Sequence, residues 1–285
     1  SDGTTTLKYE RERHDSNNQV AEYWVKIPSV SSSSDTEFYI YYGNSTASNG
    51  EDAVNVWDSN FVGVWHLKED PSGTAPQAQD STSNNNDGTS QGSMTSANLV
   101  NGKIGKAWSF DGSDDYVDCG NVPEFNTSNP FSMSVWIKTT QSANGQILNR
   151  GTNHVAELQL ESSGQVHFWV EDADDADKNV YTNAVNNGEW HYIVGVYDGT
   201  YIKVYQDGSL IESLDITGFT IYYNSADDVW IGNGDSGYFN GTIDEVRISN
   251  TYRSSAWIKA SYHSGNNTLL SFASEEGKYY SSGNY

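Results

Sequence analysis

Short apolar stretches recur at close intervals from residue 61 onward, and this recurrence constrains the fold more than any other feature. The stretches are rich in β-branched and aromatic residues, and Gly, Asn, Asp or Ser separates each from the next. Ten of them follow one another: FVGVWHL, GKAWSF, YVDCG, FSMSVWIK, AELQLE, QVHFWVE, EWHYIVGVY, TYIKVYQ, DVWIG and GTIDEVRIS. Many short strands joined by turns predict an all-β sandwich of two antiparallel sheets.

Three segments predict local structure in more detail. FSMSVWIK (131–138) alternates, which predicts a strand with one buried face and one face that is at least partly polar. The Asp207-Gly208 pair between two apolar runs predicts a hairpin. SSAWIKASYH (254–263) begins with serines suited to a helix N-cap and is the best helix candidate.

The first part of the chain predicts a small β extension. EYWVKIP (22–28) and EFYIYYGN (37–44) have the composition of strands, and a serine-rich loop separates them. EDAVNVWD (51–58) is predicted to form a short helix. We therefore divide the chain into a partial N-terminal extension (1–60), a β-sandwich (61–275) and a tail (276–285).

The chain is strongly acidic, with 38 acidic and 15 basic residues and a formal net charge of -23. Such a charge repels phosphate backbones and anionic lipid surfaces, which argues against a nucleic-acid partner. No stretch approaches the roughly 20 apolar residues of a membrane helix, so we predict no direct membrane insertion. The acidic excess fits divalent-cation binding, a saline habitat or solubility outside the cell, and composition does not separate these. Cys119 is the only cysteine, so no intrachain disulfide forms.

Five motifs occur in an order that resembles a known family. Together they resemble the laminin-G-like, concanavalin A-type jelly roll of bacterial and archaeal surface proteins, over about residues 61–258. The extension, with WIKASYHSGNNTLLSFASEE (257–276), resembles the C-terminal part of a domain of unknown function that commonly precedes this jelly roll. The five motifs are DSTSNNNDGT (80–89), GKIGKAWSFDGSDDYVDCG (102–120), FSMSVWIK (131–138), GEWHYIVGVYDGTYIKVYQDG (188–208) and FNGTIDEVRISN (239–250).

The resemblance implies an extracellular or cell-surface module that binds or adheres, often with a structural calcium ion. It does not name a ligand, since this sandwich hosts lectins, adhesion modules and glycoside hydrolases alike. We expect a calcium-stabilised module that binds a glycan or a cell-surface protein and is not an enzyme. The alternatives are a structural subunit of a surface layer or filament, and a polysaccharide-active hydrolase or lyase.

Aspartates supply the candidate calcium ligands. FDGSDDYVDCG (110–120) has four aspartates in eleven residues, and Asp111 and Asp115, with Asp114 between them, are candidates in its turn. The resemblance adds Asp80 and Asp244, because the family tends to bring those two positions near each other. Turn formation and solubility are the alternative explanation of the acidic turn. The acidic run VEDADDADKN (170–179) is interpreted as a solvated loop, with a weaker cation site or part of a binding rim as alternatives.

Sugar binding requires aromatic faces flanked by amides and carboxylates. TIYYNSADD (220–228) and GNGDSGYFNG (232–241) have this composition. The candidate ligand-binding residues are Tyr222, Tyr223, Asp235, Tyr238 and Phe239. For the aromatic residues among them, a place in the core or at a sheet edge is the alternative.

A catalytic interpretation of AELQLES (156–162) is considered and rejected. Glu157, Gln159 and Glu161 share one strand face, as the E-x-D-x-E of glucanases of this sandwich class does, but the middle acid is replaced by glutamine. At strand rise the outer carboxylates stand about 13 Å apart, beyond the separation that either glycosidase mechanism uses. We therefore predict no catalytic residue.

The N-terminal strands raise the question of assembly. An incomplete sheet exposes backbone donors and acceptors, which a neighbouring chain can satisfy by adding a strand. Alternatively, the segment folds back onto the jelly roll and leaves a monomer, which we favour because the helix candidate is placed to cover it.

Overall fold

The computed structural model describes residues 5–31, 33–151, 155–234 and 237–274; the predicted tail (276–285) and Asp235 lie outside the described residues. One α-helix, α1 (Ser255–Gly265), follows the last strand. In chain order the strands are β1 (Tyr9–Asp15), β2 (Val20–Val25), β3 (Phe61–Trp65), β4 (Thr89–Gln91), β5 (Leu99–Asn101), β6 (Lys106–Asp111), β7 (Tyr116–Asn121), β8 (Phe131–Lys138), β9 (Gly145–Arg150), β10 (Ala156–Leu160), β11 (Val166–Glu171), β12 (Asp177–Tyr181), β13 (Trp190–Tyr197), β14 (Tyr201–Gln206), β15 (Ser209–Asp215), β16 (Asp228–Ile231) and β17 (Asn240–Ser249).

Two antiparallel sheets form the sandwich. The seven-stranded sheet has the order β12-β11-β10-β9-β16-β7-β4, and the eight-stranded sheet has the order β15-β14-β13-β8-β17-β6-β5, with β3 also paired to β17. Alternate apolar residues of both sheets meet between them in one continuous buried core, which includes Trp108, Phe131 and Phe168. The predicted two-sheet all-β sandwich is confirmed.

Both predicted local structures around the eight-stranded sheet are present. Asp207 and Gly208 connect β14 to β15 with φ of 52° and 78°, the left-handed backbone of a tight hairpin turn. Ser254 caps α1, and its side chain accepts a hydrogen bond from the backbone N–H of Trp257. No helix among the described residues has the length and apolar character needed to cross a bilayer.

The predicted alternation of β8 is present, but its partly polar face is buried as well as its apolar face. All its residues except Lys138 are buried. The face of the eight-stranded sheet turned away from the core carries a second buried cluster, in which Trp136, Tyr192 and Val194 pack with Ile258 of α1. A helix distant in sequence therefore covers a surface that the local alternation predicts to be partly polar.

The N-terminal extension differs from its prediction. The hairpin is β1 with β2, so YERERHD pairs with the segment around EYWVKIP. EFYIYYGN (37–44) forms no strand, and EDAVNVWD contributes only a single 3₁₀ turn, Ala53–Asn55. The guanidinium of Arg247 in β17 contacts the rings of both Trp24 and Trp57, 4.3 and 4.9 Å from their centroids. The hairpin thus packs against the eight-stranded sheet, beside the part covered by α1.

Candidate functional site

One face of the seven-stranded sheet carries polar and aromatic side chains instead of core residues; we call it the polar face. Residues paired directly across neighbouring strands project to the same side of a sheet. On either side of each pair along the chain, residues such as Val117, Leu148 and Leu158 point into the core. One row of direct partners crosses all seven strands of the sheet: Thr89, Asp118, Trp230, Asn149, Glu157, Trp169 and Asn179.

The two indoles of this row stand apart with polar groups between them. Trp230 and Trp169 are half-buried, and Asn149 and Glu157 lie between them in the row. At the usual distance between strands, the two tryptophans are separated by about 14 Å. Aromatic rings on either side of an amide and a carboxylate form the kind of surface that stacks on pyranose rings and bonds their hydroxyls.

Within this row, the buried amide side chain of Asn149 is notable because it lacks hydrogen-bond partners among the described residues. It is 1 % exposed, and neither its Oδ1 nor its Nδ2 has a hydrogen-bond partner in the described part of the chain. Burying an amide without partners costs about 1–3 kcal/mol, so such groups are rare in folded proteins. An external ligand that supplies a donor and an acceptor would remove that cost.

A second row of polar residues runs beside the first: Gln146, Gln159, His167 and Tyr181. His167 Nε2 lies 3.1 Å from Glu157 Oε1, and His167 Nδ1 lies 3.1 Å from Glu161 Oε1. Gln159 also donates to Glu161. A single imidazole therefore separates the two carboxylates, which are closer together than the 13 Å expected from strand rise.

The predicted aromatic ligand residues are found in different environments. Tyr238 lies at the edge of the polar face, where its ring centroid is 6.3 Å from that of Tyr116. Tyr222 packs partly against the core, and Tyr223 donates a hydrogen bond to the carbonyl of Pro123. Phe239 is fully buried in the core, so its ring is not available to a ligand.

The acidic turn, which we define as Asp111, Asp114 and Asp115, brings three carboxylates together. One oxygen of each lies within 4.8 Å of the others. Burial, and then the charges of Asp111 and Asp114, raise the pKa of Asp115. Asp111 also accepts hydrogen bonds from the backbone N–H groups of Ser113 and Asp114. These hydrogen bonds hold the backbone of the turn. The repulsion among the three carboxylates would be relieved by a calcium ion, which prefers carboxylate and carbonyl oxygens.

Asp80 occupies a different environment, in which backbone and hydroxyl groups satisfy both carboxylate oxygens. Oδ1 accepts from the N–H groups of Val64 and Thr82, and Oδ2 accepts from Thr82 Oγ1 and the N–H of Asn86. These contacts tie the polar loop to β3. The geometry assigns Asp80 to loop organisation.

Asp244 lies apart from the acidic turn. Asn240 pairs with Asp111 between β17 and β6, so Asp244 stands four residues further along, about 13 Å at strand rise. One oxygen of Asp244 accepts from the N–H of Ile104, and burial followed by the charge of Glu245 raises its pKa well above the usual range. The structure brings Asp111 and Asp115 together but not with Asp80 or Asp244.

A group of charged residues between the hairpin and the sandwich was not predicted; we call it the junction cluster. Burial would lower the pKa of His66, but the carboxylates of Glu245 and Glu12 outweigh it and raise the pKa to about 10. All members except half-buried Lys68 are buried. The members are Glu10, Glu12, His66, Lys68, Asp244, Glu245 and Arg247.

The second acidic run forms the loop between β11 and β12. Asp172 accepts hydrogen bonds from the N–H groups of Asp174 and Ala176, and Asp174 and Asp175 are exposed. This arrangement is a solvated turn in which an aspartate bonds the backbone ahead of it.

The two-sheet sandwich and its covered outer face place the chain among lectin-type jelly rolls. Residues 111–259, just over half of the chain, match the family described as the concanavalin A-like lectin/glucanases superfamily, of the laminin-G type, and the chain belongs to this family. Residues 1–74 match DUF2341, a domain of unknown function. Both predicted resemblances are confirmed, although the segment 257–276 lies outside the DUF2341 match. No curated protein shows detectable similarity to the chain.

Solved structures share the fold at low sequence identity. The receptor binding domain of botulinum neurotoxin C/D mosaic serotype is 16% identical with a TM-score of 0.57, over 72% of this chain and 51% of that one. The binding domain of botulinum neurotoxin DC in complex with rat synaptotagmin II is 13% identical with a TM-score of 0.58, over 72% of this chain and 52% of that one. The same domain in complex with SialylT is 13% identical with a TM-score of 0.57, over 73% of this chain and 52% of that one. The chain spans about half the length of these domains, and the likeness shows a shared fold.

Proposed function

We propose that the chain is a non-catalytic extracellular module that binds a glycan through the polar face of the seven-stranded sheet. The observation that carries this proposal is the partnerless amide of Asn149, which lies in one row with Glu157 and two half-buried tryptophans. A saccharide supplies hydroxyls, which both donate and accept, and C–H faces that stack on indole rings.

The comparisons are compatible with a binding role. The family includes lectins by its description, and one solved neighbour was captured with SialylT while another was captured with a synaptotagmin. A protein ligand is therefore the alternative for the same face. Polar and aromatic groups together in one row favour the glycan.

Catalysis receives less support from the geometry. His167 lies between Glu157 and Glu161 and contacts both, so a side chain occupies the space where a glycosidic bond would have to lie. Because the family also contains glucanases, activity has to be measured. We expect no release of reducing ends from laminarin, agar, carrageenan, xylan or pectin; release that disappears in Glu157→Gln or Glu161→Gln would establish an enzyme.

Calcium enters the proposal as a structural ion at the acidic turn. Three carboxylates with oxygens within 4.8 Å of one another repel each other unless a cation or solvent neutralises them. The turn connects β6 to β7, and β7 carries Asp118 of the polar face. An ion at this position would stabilise the start of β7, and with it the position of Asp118, without contacting the glycan.

A glycan array tests the proposed function directly. The wild-type protein is applied in calcium and in chelator, beside Trp169→Ala, Trp230→Ala and Asn149→Ala. We expect at least one glycan class to bind, and each variant to weaken binding about tenfold or more, which corresponds to about 1.4 kcal/mol. Tyr252→Ala, at an exposed aromatic residue outside this row, is the matched control and should bind normally. No glycan bound, or glycans bound equally by all variants, would refute the proposal.

A second candidate function, a subunit of a surface layer or filament, is favoured by one observation. Tyr39, Ile40, Tyr41 and Tyr42 are 50, 57, 79 and 67% exposed in a segment that forms no strand. Exposed apolar segments of high β-propensity pair with strands of other chains.

A further inference from the structure

The junction cluster contains three potential metal ligands from three separate strands or strand ends. His66 Nδ1 lies 2.7 Å from Glu245 Oε1 and 3.4 Å from Glu12 Oε2. One ligand atom from each of the three residues lies within 4.8 Å of the others, and all three residues are buried. Ligand atoms that share an ion at about 2.1 Å stand about 3.0–3.4 Å apart in octahedral or tetrahedral geometry. The observed spacing is close to that range.

The charges of the cluster do not balance without a further cation or protons. Glu10, Glu12, Asp244 and Glu245 supply four carboxylates, against the permanent cations Lys68 and Arg247. Protons on His66 and Asp244, both of which have raised pKa values, would balance these charges. Uncompensated buried charge is costly. One divalent ion can take the place of these two protons and leave the total charge of the cluster unchanged.

Two carboxylate oxygens of the cluster have no hydrogen-bond partner in the described part of the chain. These are Glu12 Oε1, on a side chain that is 0% exposed, and Asp244 Oδ1. Both are buried acceptors with spare lone pairs. This observation is independent of the three-ligand geometry, and it leaves Glu12 with an acceptor position free for an ion.

A cavity of about 510 Å³ borders the cluster and is lined by Glu12, Lys68 and Gly105 among others. The Glu12 side chain is 0% exposed, so entry of an ion from this cavity requires the neighbouring side chains to move. A Cβ at Gly105 would lie only 2.7 Å from Glu12 Oε1, so the glycine leaves room for the carboxylate. Water in the cavity would complete the coordination shell.

We propose that Glu12, His66 and Glu245 bind one divalent transition-metal ion of the Zn²⁺ type. One imidazole nitrogen with two carboxylate oxygens suits zinc and its first-row neighbours, whereas calcium prefers oxygen ligands alone. Glu12 belongs to β1, His66 follows β3, and Glu245 belongs to β17. The ion would therefore join the N-terminal hairpin to the sandwich, at a place distinct from the acidic turn.

Calorimetric titration with Zn²⁺ after chelation tests the site. We expect one Zn²⁺ per chain and a melting temperature about 5–10 °C higher at a hundredfold excess over Kd. Glu12→Gln and Glu245→Gln keep the shape of the side chains and should weaken Zn²⁺ binding at least thirtyfold. Glu51→Gln removes a half-buried carboxylate that pairs with Arg11 of the hairpin, outside the proposed ligands, and should leave binding unchanged. Asp114→Asn should also leave Zn²⁺ binding unchanged, which separates this site from the calcium site.

Cobalt keeps the test decisive if a variant does not fold. Co²⁺ added to the wild-type protein should give the visible absorption of a nitrogen- and oxygen-ligated ion, and X-ray absorption should show one imidazole. The proposal is overturned if the wild-type protein binds no Zn²⁺ at 100 μM free metal. Unchanged binding in both glutamine variants, or a bound metal without imidazole, would also overturn it.

Discussion

Replacing Asp80 by asparagine distinguishes a loop-organising carboxylate from a calcium ligand. Four donors converge on this side chain, two on each oxygen. An asparagine keeps one oxygen and replaces the other with an NH₂ group, whichever way the amide is turned. Two of the four donors then face the NH₂ group, which is itself a donor and cannot accept their hydrogen bonds.

The cost follows from the pair that is lost. If the amide oxygen keeps the N–H groups of Val64 and Thr82, then Thr82 Oγ1 and the N–H of Asn86 lose their acceptor. A hydrogen bond to a charged group contributes about 1.5–3 kcal/mol, and the Thr82 hydroxyl can rotate to another partner. We expect a loss of about 3 kcal/mol in the free energy of unfolding, or about 6–12 °C in melting temperature for a domain of this size.

Urea unfolding in calcium and in chelator provides the measurement. The loss should be the same in both, because no metal is involved at Asp80. Asp70→Asn is the control in the same loop, since Asp70 is exposed and one oxygen accepts both bonds from Ser72, which an asparagine can retain. A loss present in calcium and absent in chelator would refute this reasoning and make Asp80 a metal ligand, as the sequence predicted.

Three further predictions concern charge, calcium and assembly. Burial would raise the pKa of Asp58, but hydrogen bonds and the charge of Arg253 lower it. The stability that the Asp58 carboxylate contributes is therefore present above the unfolded pKa, and it is lost as pH falls through the lower folded pKa. Asp58→Asn should cost about 1 kcal/mol or less near neutral pH, since the side chain is 42% exposed, and should flatten the acid limb of stability measured by urea unfolding from pH 2 to 7. Asp114→Asn should raise the melting temperature in chelator, by relieving repulsion with Asp115, and reduce the calcium-induced rise; identical calcium shifts would contradict the site. Light scattering should show a monomer at high micromolar concentration, whereas ordered oligomers that vanish in Tyr41→Ser would favour the structural subunit.

The strands of the sandwich were predictable because their signals are local. Alternation and turn residues lie within a few positions of each other, as in β8 and the hairpin at Asp207. The covering of β8 was not predictable, since α1 begins more than a hundred residues later. For the same reason EFYIYYGN has strand composition but forms no strand: composition does not provide a partner.

Strand β1 was missed because its buried face is charged. In YERERHD the inward positions are Glu10 and Glu12, so hydrophobic alternation is absent although the period of two is present. The opposing His66 and Lys68, which are distant in sequence, pair with both glutamates and make that burial possible. A strict alternation of acidic and basic residues was the available signal.

The polar face needed the register of seven strands. Trp169, Asn149 and Trp230 lie in three unrelated motifs, and each has an unremarkable local context. Their proximity follows from pairing across β11, β10, β9 and β16, where a shift of one residue would turn each side chain into the core. The aromatic loops chosen from composition contributed one residue, Tyr238, at the edge of this face.

The pairing of β3 with β17 joins the first and last strands of the sandwich, and this affects the order of events on the ribosome. His66 meets Glu245 across 179 residues of sequence, so β3 has no final partner until β17 has been made. Contacts of such long range are slow to form, and their delay leaves apolar surface exposed in the nascent chain. Because like charges repel, we expect the acidic excess of the chain to oppose contact between neighbouring incomplete chains until β17 arrives.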